Sequence, residues 1–380
     1  MPDFFEPAAW QPTKITFEES RTLLAEKPYL RIIDQYLKNL EELFLLRHPQ
    51  YRFDTNYQAP FEAFVRQQGD DLQTAGSWFL YPWSNQTTHF LPDEMHQELR
   101  TGRNRNLITA AEQNTYYNSK ISILGMSVGS HVAATVAMTG GSKNLRLADP
   151  DVYSGDNLNR VRTGFQDVGM SKAVVMARKL FEVDPYASHV IYPEGLQESN
   201  VQTILDTSDI IIEEMDNLYW KLKIRELARS RRIPVVMGTD NGDGMIVDVE
   251  RFDLDSSYPI LHGSIGELTA EMCQKVDPHE LPRVYAKVAG AELAVPRMLA
   301  SVAEVGKTLY SWPQLGTAAN LCGTVVSYLA RRIILKDAVI KSGRYEVNLD
   351  SIFDHTYNDP EVAKQREEQR GIFLKNIGVF

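Results

Sequence analysis

Cysteine is scarce in this sequence of 380 residues: there are two, Cys273 and Cys322. No Cys-x-x-Cys pair exists, which excludes a zinc knuckle and a disulfide framework, so no zinc is expected. Positive charge is also short. Forty Lys and Arg stand against fifty Asp and Glu, a net charge of -10. A nucleic-acid binder would usually be basic or carry a basic stripe. Long apolar runs are missing too, and none reaches the roughly 18 residues that a membrane span needs. The start, Met1-Pro-Asp-Phe-Phe-Glu-Pro7, has no basic stretch followed by an apolar core and does not read as a secretory signal. No internal repeat or low-complexity segment is found. The expectation is a cytoplasmic protein with neither a nucleic-acid nor a membrane partner.

What is present is an ordinary globular composition, 43% hydrophobic and 24% charged, in a chain long enough for a large core and two domains. From Phe17 to about His48, apolar residues recur at three- and four-residue steps, and Pro28 divides them into two helices. Residues 49–100 mix aromatics, prolines and polar groups and read as short strands and a helix. Residues 1–100 therefore form a small α+β domain that could clasp a peptide or partner. Strands follow at 120–125, 144–149, 188–193, 208–213, 233–238 and 245–252, with helices at 128–140, 168–183, 198–206 and 217–231. That alternation predicts an α/β fold, a Rossmann-like and mainly parallel sheet with helices on both faces, over 101–340. Loops dominate 254–295, and helices are expected at 296–310 and 314–336. Residues 341–380 read as a charged helical tail that ends at Phe380.

The stretch from Ile121 to Gly140 is a strand, a tight turn with Gly125 and Gly129, and an apolar helix. A second strand ends in Asp149. Backbone N–H groups at such a helix start face phosphate, and the acid accepts from a ribose hydroxyl. Taken alone, the loop serves equally well as a plain strand–helix connection. Further polar groups lie at defined spacing: Asp149-Pro-Asp151, Asp156-Asn-Leu-Asn-Arg160, Gly169-Met-Ser-Lys172 and Glu213-Glu-Met-Asp216-Asn217. In a parallel sheet the loops after these strands open onto one crevice. Lysine and arginine there neutralise phosphate, and an acid holds a metal ion. Each member also has a bland reading. Asp149 could cap a turn, Arg160 and Lys172 could be solvated charges, and Asp216-Asn217 could only cap the next helix.

Together these motifs resemble the ThiF/MoeB-type adenylating enzymes, the fold shared with ubiquitin-activating enzymes. The segment with Arg103 and Arg105, followed by Glu112-Gln113, is similar to that family's arginine segment. The resemblance runs from about residue 100 to 250. It implies a set of roles. Gly125, Ser127, Gly129 and Ser130 lie against the nucleotide phosphates, and Asp149, with Asp151 beside it, binds ribose. Asn157, Arg160 and Lys172 hold the phosphates, and Asp216 coordinates magnesium. Arg103 or Arg105 reaches the partner's site in a homodimer. The implied cofactors are ATP and Mg²⁺. Attack of a carboxylate on the α-phosphate would give an acyl-adenylate and pyrophosphate, with Arg105, Arg160, Lys172 and Asp216 as the catalytic set.

The loop departs from the family in carrying Ser127 where glycine is usual. Zinc motifs are missing, and no thioester cysteine is evident, although Cys273 falls in a plausible crossover segment. The substrate implied is then a peptide or small protein, most simply a ribosomally made precursor peptide of an antibiotic-type pathway, as in the microcin C and pantocin branches. The core also resembles ThiF-like proteins fused to a nitroreductase domain. The rival readings are activation of a ubiquitin-like sulfur carrier, a non-catalytic nucleotide-binding scaffold, and an NAD(P)-dependent oxidoreductase using Tyr219-x-x-x-Lys223.

Overall fold

The computed structural model describes residues 9–376; the Pro-rich start at 1–8 and the terminal Phe380 lie outside the described residues. The chain forms two compact units. The first takes in the chain to Tyr117 together with Ala137–Gly141 and Ala177–Ala187; the second comprises Asn118–Val136, Ser142–Met176 and the chain from Ser188 onward.

The first unit contains β1 (Thr13–Ile15), α1 (Phe17–Glu26), β2 (Arg31–Asp34), α2 (Tyr36–Arg47), α3 (Gln58–Arg66), β3 (Ser77–Tyr81), β4 (Gln86–Phe90) and α4 (Asp93–Arg100), with α5 (Ala110–Asn118) leading out of it. Its four strands lie in the order β1-β3-β4-β2. A capping box starts α1: the Thr16 hydroxyl accepts from the Glu19 N–H, and the Glu19 carboxylate accepts from the Thr16 N–H. Leu40, Leu43, Phe44, Phe61 and Leu91 form the core. The strand β2 corrects the expectation of two helices meeting at Pro28. Arg31–Asp34 pairs in parallel with Gln86–His89, so ladder hydrogen bonds override the helical spacing of Leu30, Ile33 and Tyr36.

The second unit begins with β5 (Lys120–Leu124), α6 (Val128–Met138), β6 (Asn144–Ala148), α7 (Lys172–Val183), β7 (Val190–Tyr192), α8 (Val201–Asp206), β8 (Ile210–Glu213), α9 (Leu218–Ser230), β9 (Val235–Asn241) and β10 (Gly244–Glu250). After these come α10 (Ala270–Cys273), α11 (Leu281–Ala289), α12 (Pro296–Val302), α13 (Gly316–Ile334), β11 (Gly343–Val347), α14 (Asp350–Phe353) and α15 (Pro360–Asn376). The seven strands lie in the order β11-β10-β9-β8-β5-β6-β7. The five from β9 to β7 are parallel, and β10 and β11 are antiparallel additions. Every residue of β8 and β10 is buried, as expected of strands covered on both faces.

The observed strands differ from the expected ones by at most three residues at either end. Three expectations are corrected. The helix expected at 296–310 stops at Val302, and Gly306 then takes a left-handed φ of +80°. A nine-residue helix, α11, lies inside the stretch read as loop. Residues 341–380 are not a purely helical tail, because β11 extends the sheet by pairing with β10, Met245 opposite Val347. Its charged residues hid it: Arg344 points back to a buried Asp248 at 2.6 Å rather than to water. Among the described residues, no helix is long and apolar enough to cross a membrane.

From β5 the chain runs outward through β6 to β7, then returns to β8 on the opposite side of β5. The carboxyl ends of β5 and β8 therefore flank the topological switch point, where open α/β sheets form their ligand crevice.

Candidate functional site

The turn after β5 is shaped by close approach. Gly125 has φ +96°, and a Cβ there would lie 2.3 Å from the Glu214 carbonyl oxygen. Only glycine tolerates both conditions. At Gly129 a Cβ would lie 2.8 Å from Ile123 Cγ2. Ser127 is half-buried, and its carbonyl accepts from the buried Ser130 hydroxyl at 2.7 Å. Asp149 is buried at the end of β6. Its two carboxylate oxygens accept the Met126 N–H at 2.5 Å and the Asp151 N–H at 2.7 Å. Burial pushes its pKa up, while Lys172 and the two N–H groups pull the other way. Asp149 therefore ties the glycine loop to the following strand.

The cations stand beside it. Lys172, buried at the first turn of α7, places its ammonium 2.9 Å from the largely exposed Asp151 carboxylate. Two of its three donors stay available to another acceptor. Asn157 is buried, and its carbonyl oxygen accepts from the Ser154 N–H at 3.3 Å. Arg160 folds back through Nη1 onto the Asp156 carbonyl and the Asn159 side chain, both at 2.9 Å. Its Nε is buried without a hydrogen-bond partner among the described residues. An orphaned guanidinium N–H beside the glycine-loop helix is what a phosphate oxygen would satisfy.

The end of β8 sorts three acids by direction. Glu213 is fully buried with Arg225 at 2.5 Å and Lys221 at 3.1 Å. Burial alone would raise its pKa, but the two cations outweigh it and hold it below the usual range. Arg225 is also paired with Glu250 at 2.7 Å. Glu214 turns the other way, under the glycine loop, and one of its oxygens accepts the Gly238 N–H at 2.9 Å. Burial pushes its pKa well up, and nearby Glu213 and Asp240 add to the rise. Asp240, at the end of β9, is held by the Gln314 amide at 3.0 Å and the Cys322 thiol at 3.5 Å. Asp216 is exposed, with no hydrogen bond or ion pair among the described residues.

The structure thus gathers the glycine loop, Asp149, Asp151 and Lys172 into one hydrogen-bonded group, with Arg160 tied to α6 and Asp216 just beyond β8. Arg103 and Arg105 belong to the first unit. Both are exposed, and Arg105 is paired with Glu98 at 2.7 Å. Sequence reasoning gave no role to Glu214, Asp240, His131 or Gln314. The doubled acid Glu213-Glu214 was the one visible signal, because neighbours in a strand face opposite sides. Among the described residues no cluster of three or more His, Cys, Asp or Glu is placed to hold a metal. A single free carboxylate such as Asp216 still suits magnesium, which is bound through one or two carboxylates, waters and substrate phosphates.

Two alternative chemistries find no support in this geometry. Tyr219 donates to Glu198 at 2.7 Å, while Lys223 pairs with Glu271 at 2.6 Å. The hydrogen bond to Glu198 raises the Tyr219 pKa, opposite to what a tyrosine proton donor in hydride transfer requires. Cys273 is buried in an apolar cluster, its thiol bonded to the Ala270 carbonyl, and burial raises its pKa. A reactive thiolate needs the reverse.

These features define a Rossmann-like α/β protein whose polar loops gather at the carboxyl edge of its sheet. Residues 101–370 match the ThiF family, and the chain belongs to it. The resemblance read from the motifs is thereby borne out. The chain is 36% identical over 292 residues to the uncharacterized protein MT1398 of Mycobacterium tuberculosis (strain CDC 1551 / Oshkosh), covering 77% of this chain and 40% of that protein. It is 29% identical over 123 residues to the adenylyltransferase and sulfurtransferase MOCS3 of Drosophila virilis, covering 32% of this chain and 27% of that protein. The chain thus spans well under half the length of these curated relatives. Among solved structures, the crystal structure of PaaA aligns with a TM-score of 0.44 at 18% identity, covering 67% of this chain and 68% of that one.

Proposed function

We propose that this chain is an ATP-dependent adenylyltransferase that activates a carboxylate on a peptide or small protein, with a ribosomally made precursor peptide of an antibiotic-type pathway as the favoured substrate. One observation carries the reading. The loops after β5, β6 and β8 converge at the switch point with a glycine turn, the cations Lys172 and Arg160, an orphaned Arg160 Nε, and a free Asp216 carboxylate.

The substrate carboxylate attacks the α-phosphorus, the bond to the β-phosphate oxygen breaks, and pyrophosphate leaves an acyl-adenylate. Magnesium, when bound, screens the triphosphate charge. The chain's own residues supply the rest. Lys172 and Arg160 offset the repulsion between the attacking anion and the phosphates, and Asp216 holds the metal. Asp149 fixes the loop and can accept a ribose hydroxyl through its remaining lone pairs. These groups are set in place before reaction, which is where electrostatic catalysis has its advantage. Arg103 or Arg105 of a second copy would complete the triphosphate site in a homodimer.

On this reading the first unit receives the peptide. Its cavity of about 620 Å³ is lined by polar and apolar groups alike, among them Asp34, Lys38, Glu41, Leu37 and Phe61. The buried Cys273 offers no reactive thiolate, so a thioester step after adenylation is not part of this reading. Carboxylate-dependent ATP–pyrophosphate exchange, with candidate peptides supplied, tests the proposal. Exchange in the wild type and a loss of about 10²–10³-fold in folded Asp216→Ala and Arg160→Ala variants are expected. Full exchange in both variants would overturn the site assignment.

A further inference from the structure

Arg160 is one of the two cations assigned to the phosphates, yet its backbone sits in an irregular loop. Three bonds pin that loop. The Asn159 amide donates to the Gln314 carbonyl at 2.8 Å, and Arg162 bonds the Asn320 side chain at 2.8 Å. The third comes from outside the loop to the Arg160 backbone: His131 Nε2 lies 2.6 Å from the Arg160 carbonyl oxygen.

His131 is built into its place. It lies in the first turns of α6, within the helix that the glycine loop starts, and is 1% exposed. A Cβ on Gly323 of α13 would lie 2.5 Å from His131 Cβ, so α13 packs directly against it. A carbonyl can only accept, so Nε2 must carry the hydrogen. Nδ1 is then an unprotonated, buried nitrogen, and the Asn320 side chain lies close to the ring. Burial pushes the imidazole pKa down and favours the neutral ring, while the Arg160 carbonyl and the Asn320 side chain pull the other way. A purely packing residue here would be apolar. The imidazole instead directs its Nε2–H to the Arg160 carbonyl.

We propose that His131 is a positioning residue for Arg160. It links the glycine-loop helix to the arginine loop, so that the guanidinium is set against the phosphates of a bound nucleoside triphosphate. This rests on the adenylyltransferase reading. It predicts that loss of the Nε2–H donor weakens binding of the triphosphate and leaves binding of the nucleoside alone unchanged.

The test is calorimetric titration of the full chain with Mg·ATP and, separately, with adenosine. His131→Phe keeps the ring volume without the donor, and His131→Met does so with a different shape should the first not fold. His131→Gln returns an N–H donor near the Nε2 position. Each donor-less variant should lose about tenfold in ATP affinity, the scale of one hydrogen bond serving a charged group, with adenosine affinity unaltered. His131→Gln should recover most of that loss. Wild-type ATP affinity in the folded donor-less variants would overturn the proposal, as would a parallel loss for adenosine or a failure of glutamine to rescue. A wild type that binds neither ligand would instead bring down the adenylyltransferase reading on which it stands.

Discussion

Replacing Arg225 by methionine probes both the fold and the site. Arg225 is fully buried and holds two acids, Glu213 at 2.5 Å and Glu250 at 2.7 Å. Methionine fills similar volume, so the loss is mainly electrostatic. Glu213 keeps Lys221 at 3.1 Å and the Met215 N–H at 2.7 Å. Among the described residues Glu250 keeps only the Leu261 N–H at 2.7 Å. Breaking a buried pair from one side costs about 3–5 kcal/mol. With Lys221 still in place, about 3 kcal/mol is expected here, measured by urea unfolding at pH 7. The pH dependence should distinguish wild type from variant. In the wild type Glu213 titrates below the usual carboxylate range, so its contribution is present above that range and is lost as the pH falls through the folded value. In the variant Glu213 has one of its two cations left, so less of this contribution exists to lose. The difference between the two proteins should therefore shrink as the pH falls below about 4, the ordinary carboxylate range. A penalty under about 1 kcal/mol, or one that does not change with pH, would refute the view that these acids are held by charge. Glu213 also accepts from Met215 one residue before Asp216, so the variant's exchange activity should fall even where it remains folded.

Other substitutions separate the remaining elements. Gly125→Ala forces a Cβ to within 2.3 Å of the Glu214 carbonyl at φ +96°, and should destabilise the second unit by several kcal/mol in the same unfolding assay. Asp149→Ala strips the acceptor from two loop N–H groups, and should cost about 2–3 kcal/mol and weaken ATP binding measured by calorimetry. Protein incubated with ATP and substrate should carry no thiol-labile acyl bond; one that forms in the wild type and is lost in Cys273→Ser would revive a thioester role. Mixing Arg105→Ala with Asp216→Ala protein should restore part of the exchange if Arg105 acts on a second copy's site, and no restoration would exclude that arrangement.

Much of the second unit was legible because its signals are local. Buried strands such as β5 and β8 are short apolar runs, and helices at natural spacing follow each of them. The strands that escaped reading, β1, β2 and β11, lie at sheet edges, and half-exposed edge strands carry no apolar alternation to detect. Site residues taken from motifs could be named, but not the bonds between them. That Arg225 serves Glu213 and Glu250 depends on pairing across 12 and 25 positions. The approach of Gln314 to Asp240 spans 74 positions. No spacing rule reaches that far.

The glycine loop shows how structure changes the weight of a missing residue. Ser127 stands where the family usually has glycine, a departure that on its face weakens the phosphate grip. The structure gives a different account. Ser127 is not among the residues with left-handed φ, so a side chain there costs no backbone strain. The two positions that cannot carry a side chain are Gly125, pressed against Glu214, and Gly129, pressed against Ile123. The loop is held instead from its flanks, by Asp149 through the Met126 N–H and by Ser130 through the Ser127 carbonyl. Ser127→Gly should therefore leave the fold in place, and through added backbone freedom should cost no more than about 1 kcal/mol in urea unfolding. A large gain in ATP affinity on that change, read by calorimetry, would show that the serine does obstruct the phosphates and that the loop's shape was bought at the expense of binding.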